Sequence, residues 1–299
     1  MKIKFGLKHL LILLFLVRAA AHVALLPAWA DVMARRTNNR VGDLTPASVG
    51  LDYRDVTLTS ADGTTLVGWY IPSQNGAVII VLHGHSAHRG VMLEHARILA
   101  RHGYGVLLYD LRAHGDSGGD QFTYGWADVQ DVAATLEFLR AQPNVDPGRI
   151  GLFGFSLGGQ IALRATAQFP DIQAVIADGP GLVDHRDLPP PHTWFERWQV
   201  LQERLWFKCL EKRIEQRAPT PIVQLIGEIA PRPLLLIATG ADDGPEYRLA
   251  RHLYEQANEP KMLWRIVDAS HGEGLEKHPQ DYEQTMIDFF DHTLEKTKH

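Results

Sequence analysis

The 299-residue sequence predicts an α/β fold built on a mostly parallel sheet. Nearly continuous apolar runs, such as Ala77 to Leu82 and Tyr104 to Tyr109, are typical of strands that are buried on both faces. Segments with helical spacing, such as Val129 to Leu139, separate these runs. A Gly-x-Ser-x-Gly pentapeptide, Gly154 to Gly158, joins a further apolar run to a helix-favouring stretch. Strands that alternate with helices pair in parallel through right-handed crossovers.

The bulk composition narrows the classes of function. With 45% hydrophobic and 22% charged residues, the chain has the composition of a globular protein. The net charge of −5, without a long basic run, gives no reason to propose a nucleic-acid partner. The single cysteine, Cys209, excludes an intrachain disulfide and a cysteine-based zinc site. The 15 histidines are scattered and lack the spacing of a metal motif, so we predict no metal and no cofactor.

Residues 1–30 have the composition of a targeting or membrane segment. Three lysines precede the apolar run Leu10 to Val17, and a second apolar stretch follows Arg18. One interpretation is a secretory signal peptide that is cleaved after Ala28-Trp29-Ala30. The other is an uncleaved membrane anchor of about 20 residues.

The position of Arg18 separates these two interpretations only in part. A charge in the middle of a bilayer costs about 2.5–3.5 kcal/mol, which favours a short signal sequence that ends before this arginine. The apolar stretch beyond Arg18 favours an anchor, which we prefer; a soluble N-terminal helix is a third alternative. An anchor or a signal peptide places the protein in the cell envelope, in contact with the membrane through residues 1–30 if they are not cleaved.

The next segments lead into the main domain, which we predict over residues 51–299. Residues 31–50 are polar and rich in turn-forming residues, and we predict a linker there. Two β-rich runs, Asp55 to Thr59 and Thr65 to Ile71, flank Asp62-Gly63 and predict a hairpin.

Residues 181–230 interrupt the α/β pattern. Three prolines lead into a long helical stretch, Trp194 to Arg217, that is dense in aromatic residues. The pattern then returns with a strand at Pro233 to Ala238 and ends with a helix at Asp281 to Leu294. We therefore predict a helical cap, inserted before the strand at Pro233, whose aromatic face lines an apolar pocket over the serine of the pentapeptide.

Strand, sharp turn with a central serine, and helix together make a nucleophile elbow. The turn strains the serine backbone, so small neighbours are needed where strand and helix pass closely. We predict Ser156 as the nucleophile, with the N–H of Leu157 facing a developing oxyanion from the helix start. The loop His83-Gly84-His85-Ser86, after another strand, supplies the second oxyanion donor, for which we predict the His85 N–H.

The candidate base and acid follow later strands. A serine hydroxyl needs a base to take its proton, and the base needs an acid to orient it. In this strand order the acid precedes the histidine. Asp242 and Asp243 follow one strand and His271 follows the next, while Asp178 ends an earlier strand and is a third candidate acid. All of them lie at the carboxyl ends of strands, where open α/β sheets bind their ligands.

Together these segments resemble the α/β-hydrolase superfamily, in particular bacterial serine hydrolases related to serine aminopeptidase (S33-type), some of them membrane-anchored. The resemblance spans about residues 53–295 and is weakest in the cap. The segments that carry it are His83-Gly84-His85-Ser86, Asp110 to Ser117, Gly154 to Gly159, Gly240-Ala241-Asp242-Asp243 and Ser270-His271-Gly272.

The resemblance implies an α/β-hydrolase fold: an eight-stranded, mostly parallel sheet with helices on both faces. It also implies Asp243, rather than Asp242, as the triad acid. In the family a Val-Pro-like turn commonly follows the acid, whereas Gly244-Pro245-Glu246 stands here. Residues that brace the loop beside the site in such proteins are present as Asp110, Arg112, His114 and Ser117.

These observations predict a serine hydrolase that cleaves an ester through Ser156, His271 and Asp243. The expected partner is a small-molecule or lipid-like acyl substrate; the oligomeric state is open. A serine aminopeptidase or amide hydrolase ranks second, because no acidic or basic specificity pocket is identifiable in the sequence. An acyltransferase or thioesterase would use the same acyl-enzyme, and a catalytically silent, membrane-associated binding protein is the non-enzyme alternative.

Overall fold

The computed structural model describes residues 21–37, 39–242 and 244–295 of the chain. Its strands are β1 (Arg54–Thr59), β2 (Thr65–Ile71), β3 (Val78–Leu82), β4 (Gly105–Tyr109), β5 (Ile150–Phe155), β6 (Ile172–Asp178), β7 (Leu234–Thr239) and β8 (Lys261–Ile266). They form one sheet of eight strands in the order β1-β2-β4-β3-β5-β6-β7-β8. The strand β2 pairs antiparallel with β1 and β4, and all other pairs are parallel. The predicted eight-stranded, mostly parallel sheet is confirmed.

Helices cover both faces of this sheet. The chain is helical over residues 21–33 (α1). The remaining helices are α2 (Leu93–Arg101), α3 (Val129–Arg140), α4 (Leu157–Gln168), α5 (Trp194–Ile214), α6 (Ile222–Leu225), α7 (Pro245–Gln256), α8 (Gly274–Lys277) and α9 (Pro279–Thr293). Helices α3, α4 and α7 contribute to the hydrophobic core on one face, and α2 and α9 to the core on the other.

The strand β3 shows why the apolar run is continuous. Its side chains alternate between the two faces of the sheet. Val78, Ile80 and Leu82 belong to one core, whereas Ile79 and Val81 belong to the other. A strand between two helical layers needs apolar residues at every position, which is the pattern in the sequence.

The segment before β1 is bound to the main domain. Helix α1 buries Leu26 and Ala30. Beyond it, the Thr37 N–H donates to the carbonyl of Ala113 at 2.9 Å, so the predicted linker is hydrogen-bonded to the loop after β4. Within the described part of the chain, no helix is long and apolar enough to cross a bilayer. Two thirds of the predicted signal or anchor segment, residues 1–20, lie outside the described residues, and its membrane role stays a prediction.

The predicted insertion lies between β6 and β7 and contains the long helix α5. This helix begins with a capping box, in which the side chains of Thr193 and Glu196 each accept a hydrogen bond from the backbone N–H of the other residue. Its C-terminal half packs inward through Phe207, Leu210 and Ile214. Leu188 and Glu196 of this segment line the same cavity as Ser156, so the segment lies beside the serine turn.

Candidate active site

The turn at Ser156 has the strained backbone of a nucleophile elbow. Ser156 lies between β5 and α4 with φ 54° and ψ −113°, which non-glycine residues rarely adopt. A Cβ atom on Gly154 would lie 2.1 Å from the carbonyl oxygen of Gly158, and one on Gly158 would lie 2.4 Å from that of Leu82. Both glycines are thus required by close backbone approach. The Ser156 N–H donates to the carbonyl of Asp178 at 2.8 Å, which holds the turn against β6.

Ser156 and His271 line one cavity of about 520 Å³ at the carboxyl ends of the strands. The imidazole ring of His271 packs on the ring of Phe155, with 4.8 Å between centroids. On another side it meets Gly179, where a Cβ atom would lie 2.8 Å from Cε1 of His271. The structure therefore brings the predicted nucleophile and the predicted base to the same site.

The acid that contacts His271 is Glu246, in the first turn of α7. Its Oε2 lies 2.6 Å from Nδ1 of His271. Its Oε1 accepts hydrogen bonds from the N–H (2.6 Å) and the hydroxyl (2.8 Å) of Thr239, at the end of β7. Burial opposes ionisation of Glu246, but the hydrogen bonds from His271 and Thr239 outweigh it and lower the pKa of this carboxyl. The hydrogen bond to Glu246 in turn raises the pKa of His271.

This contact fixes the tautomer of His271. An ionised carboxylate accepts hydrogen bonds only, so Nδ1 of His271 carries the proton that is donated to Glu246. The Nε2 atom of the neutral ring is then left with a lone pair. That is the state in which a histidine can take a proton from a serine hydroxyl.

The described aspartates that were candidates for the acid, Asp242 and Asp178, pair with residues other than His271. Asp243 lies outside the described residues. Asp242 is exposed and pairs with Arg265. Asp178 is buried and accepts a hydrogen bond of 2.7 Å from the hydroxyl of Tyr282. Burial, together with the nearby charge of Glu246, raises the pKa of Asp178 to about 7, although the hydrogen bond from Tyr282 acts in the opposite direction.

The two backbone amides predicted to form the oxyanion hole lie next to Ser156 in the chain, at Leu157, and in the loop after β3, at His85. Leu157 is the first residue of α4, and the first N–H groups of a helix have no partner within it. His85 lies in the loop after β3, and among the described residues no acceptor is bonded to its N–H. His83 holds the base of this loop: its Nε2 accepts from the Leu111 N–H at 3.0 Å, so Nδ1 donates to the carbonyl of Gly84 at 2.7 Å. Burial lowers the pKa of His83 to about 4, which keeps it neutral in this role.

The polar residues after β4 make structural contacts. Asp110 accepts from the N–H of Arg89 at 2.7 Å and pairs with its guanidinium. The Ser117 hydroxyl donates to the carbonyl of Asp110 at 2.6 Å. Arg112 pairs with Asp131, and Nδ1 of His114 contacts the carbonyl of Arg112 at 2.9 Å. These contacts fit the bracing role that the resemblance implies.

The cavity has an apolar wall and a polar roof. Leucine and proline residues between β6 and α5 form the wall, at Leu182, Leu188, Pro189 and Pro191. From α5 the cavity is lined by Glu196, Gln199, Val200 and Glu203. The predicted aromatic lining is wrong: Trp194 and Phe195 at the start of α5 are exposed, and the aromatic residues near its middle pack into the core. Trp206 and Phe207 pack on the ring of Tyr124, at 5.4 and 5.5 Å between centroids.

Three residues of the site were not predicted from the sequence: Glu246, Thr239 and Gly179. A carboxylate in the first turn of a helix is common for electrostatic reasons alone, so Glu246 carries no special motif. The one available signal is its position after the same strand as Asp243. Gly179, with φ 53°, directly follows β6 and is distinguished only by the contact that it permits.

Comparisons with known proteins bear on the family and the fold of this chain. The sequence model of a family described as serine aminopeptidase, S33, matches residues 73–222. A protein of Mycobacterium tuberculosis without a characterised function is 30% identical over 224 residues, which cover 74% of this chain and 73% of that protein. A Pyrococcus furiosus esterase superposes with a TM-score of 0.71 at 26% identity, covering 87% of this chain and 98% of its own. A thiohydrolase of Aspergillus aculeatus is 27% identical over 187 residues, 61% of this chain and 58% of its own. The predicted α/β-hydrolase fold is confirmed.

Proposed function

Because the chain belongs to the serine aminopeptidase S33 family of α/β-hydrolases, we propose that it hydrolyses carboxylic esters through Ser156, His271 and Glu246. The observation that carries the proposal is the hydrogen bond between His271 and Glu246 at the wall of the cavity that Ser156 also lines. In this proposal Glu246 takes the role for which the sequence predicts Asp243.

The reaction proceeds in two steps. Nε2 of His271 takes the proton of the Ser156 hydroxyl as the serine oxygen attacks the ester carbonyl. The N–H groups of Leu157 and His85 bind the oxyanion, and His271 returns the proton to the leaving alcohol oxygen. Water then attacks the acyl-enzyme with His271 as base; the bond to the Ser156 oxygen breaks, His271 gives the proton to that oxygen, and the acid is released with Ser156 regenerated. Glu246 holds the ring orientation and stabilises the imidazolium in both steps.

The lining of the cavity favours an apolar acyl or alcohol group. Its leucine and proline wall offers contacts without polar partners, so burial of a hydrocarbon group there gains about 25 cal/mol per Å². The solved structure of the Pyrococcus furiosus esterase supports the same reaction class. Because one relative is a thiohydrolase, thioesters are assayed beside oxygen esters.

A substrate with a free amino group is the second candidate, and Glu203 favours it. This carboxylate lines the cavity from α5, and burial raises its pKa. No hydrogen bond or ion pair engages it among the residues that the structure describes. By contrast, Glu196 on the same face is paired with Arg248 at 3.0 Å. His22 acts on Glu203 only through its charge, and an ammonium group of an aminoacyl substrate would give this carboxylate a hydrogen-bonded partner.

The first experiment treats the purified protein with a fluorophosphonate probe. We expect covalent labelling of the wild type, loss of labelling in Ser156→Ala, and full labelling in Ser48→Ala, a serine in an exposed turn that does not line the cavity. Folded wild type that takes no label contradicts the proposal and favours the silent binding protein.

The second experiment ranks the substrates. Values of kcat/KM are measured for p-nitrophenyl esters of increasing chain length and for aminoacyl p-nitroanilides. We expect the medium-chain esters to exceed the anilides by at least about tenfold, and Glu203→Gln to leave them within threefold. Higher kcat/KM for the anilides, lost in Glu203→Gln, establishes the aminopeptidase instead.

A further inference from the structure

The segment between α1 and β1 is hydrogen-bonded to the loop that follows β4. We call residues 34–37 and 39–41 the N-terminal strap, and residues 113–122 the His114 loop. One guanidinium group of the strap, that of Arg36, donates to three carbonyl oxygens of this loop. The acceptors are Gly119 at 2.7 Å, Gly115 at 3.0 Å and Ser117 at 2.6 Å. The fork of Arg36 therefore closes the loop on itself.

Backbone hydrogen bonds also join the strap to the His114 loop. The Phe122 N–H donates to the carbonyl of Ala34 at 3.0 Å, and the Thr37 N–H donates to that of Ala113 at 2.9 Å. At the far end of the strap Val41 is buried in the core beside α2. The strap thus holds both ends of the His114 loop and is itself fixed by the core.

The His114 loop in turn supports the oxyanion loop. The ring of His85 packs on that of Phe122 at 4.6 Å between centroids, and on that of His114 at 5.8 Å. The strap also contacts this loop directly, because the side-chain amide of Asn39 donates to the carbonyl of Ser86. Ser86 has φ 56°, so the peptide next to His85 is held in a rarely populated conformation.

These contacts surround a single amide. The N–H of His85 must lie where the oxyanion develops, and such a donor acts only if it is oriented before the reaction. The His85 ring is fixed on one side by two rings of the His114 loop, and the next carbonyl is fixed by Asn39. Without the strap, the loop after β3 would lose these contacts, and the His85 N–H would no longer be oriented before the reaction.

We propose that the N-terminal strap is a positioning element of the oxyanion hole, with Arg36 and Asn39 as its positioning residues. The inference rests on the proposed hydrolase function and extends it to a part of the chain outside the cavity. It connects the segment that follows α1 to the chemical step. Catalytic competence of the domain then depends on how its N-terminal segment is held.

The test uses the full-length chain and four variants: Arg36→Ala, Arg36→Lys, Asn39→Ala and Arg40→Ala. Arg40 is an exposed neighbour in the strap and serves as the matched control. The measurements are kcat and KM for a p-nitrophenyl ester, the inhibition constant of an alkyl boronic acid, and the pH profile of kcat/KM. A boronate adduct of the serine places an oxygen in the oxyanion hole, so its affinity reports the geometry there.

For Arg36→Ala we expect kcat to fall about 10- to 100-fold. This fall should not exceed the fall in kcat that removal of one oxyanion donor causes. KM should stay within threefold, boronate binding should weaken in parallel with kcat, and the midpoint of the pH profile should not move. For Asn39→Ala we expect a three- to tenfold fall in kcat, and for Arg40→Ala no change. Arg36→Lys should recover little, since a single ammonium nitrogen cannot take the place of the two separate guanidinium nitrogens that bond Gly119, Gly115 and Ser117.

Wild-type kcat in folded Arg36→Ala, or an equal loss in Arg40→Ala, overturns the inference. So does a loss that appears in KM alone. If Arg36→Ala does not fold, Asn39→Ala decides, because its side chain is exposed: unchanged kcat and boronate affinity in that variant overturn the inference. These outcomes are distinct from failure of the proposed function, which would appear as wild type that neither labels nor turns over.

Discussion

Nδ1 of His271 lies 2.6 Å from Oε2 of Glu246, and the second oxygen of the same carboxylate is held by the N–H and hydroxyl of Thr239. The three residues come from three different segments: the loop after β8, the first turn of α7 and the end of β7. Each carboxylate oxygen therefore has a fixed partner. An acid held in this way can orient the histidine ring without moving during the reaction.

Replacement of Glu246 tests this assignment most directly. In Glu246→Gln the amide can present its NH₂ group to Nδ1, which favours the wrong tautomer of His271 and removes the charge that stabilises the imidazolium. We expect kcat to fall about 10³- to 10⁴-fold, as for loss of the orienting acid in a triad. Ester hydrolysis and fluorophosphonate labelling rates measure it.

Asp243→Asn is the matched comparison for that variant. Since the structure gives the contact with His271 to Glu246, we expect Asp243→Asn to keep kcat within about fivefold. The reverse result, a large loss in Asp243→Asn with nearly normal Glu246→Gln, would return the role of the acid to Asp243. Circular dichroism spectra of both variants establish that they are folded.

The pH dependence of kcat/KM should report the same contact. The base must be neutral, so activity falls on the acidic side through the pKa of His271 in the free enzyme. The hydrogen bond to Glu246 raises this pKa above its ordinary value of 6.5, which places the acidic limb above that pH. In Glu246→Gln the limb should shift to lower pH while the plateau falls. A limb that stays in place would show that another group controls it.

The fold follows from the sequence because its signals are local. The continuous apolar runs of β3 and β4 predict strands buried on both faces, and both cores confirm this. Gly154 and Gly158 mark the elbow because no side chain fits where the strand and helix backbones meet. His271 was identifiable because its loop follows the last strand in the required order.

The acid and the cap lining depend instead on tertiary contacts. Glu246 differs from many helix N-terminal carboxylates only through Thr239 and His271, which lie 7 and 25 residues away in the chain. The aromatic face of α5 could serve the cavity or the core equally well by periodicity. Trp206 and Phe207 pack on the ring of Tyr124 in the core, whereas Trp194 and Phe195 on the same helix are exposed. No pattern within a single segment contains this information.

The buried carboxyl of Asp178 should make stability depend on pH. Burial raises its pKa to about 7 in the folded state, from a usual value of 3.8. Between these values the folded state binds more protons than the unfolded state, so this group's contribution is fully present below about pH 4. It is lost as the pH rises towards 7. We expect the Tm of the wild type to fall relative to Asp178→Asn across this window.

The difference between the two proteins is the informative quantity, since other groups titrate in both. Buried histidines such as His83 and His95, whose pKa values burial lowers to about 4, act in the opposite direction at low pH. Differential scanning calorimetry at pH 4, 5.5, 7 and 8 measures the two Tm values. A difference that is constant over this range would show that Asp178 does not titrate there.

Gly179→Ala should impair catalysis more than it impairs stability. The new Cβ atom would lie 2.8 Å from Cε1 of His271, so the ring must move away from its position over Phe155. The φ of 53° adds a backbone cost of about 1–2 kcal/mol for a residue with a Cβ atom.

Gly240→Ala is the matched control, because it has φ 91° and no atom within 4 Å of its added Cβ. We expect kcat to fall at least about 100-fold in Gly179→Ala and less than threefold in Gly240→Ala, with losses of a few degrees in Tm for both. Equal kcat values in the two variants would mean that the His271 ring does not depend on the space that Gly179 leaves.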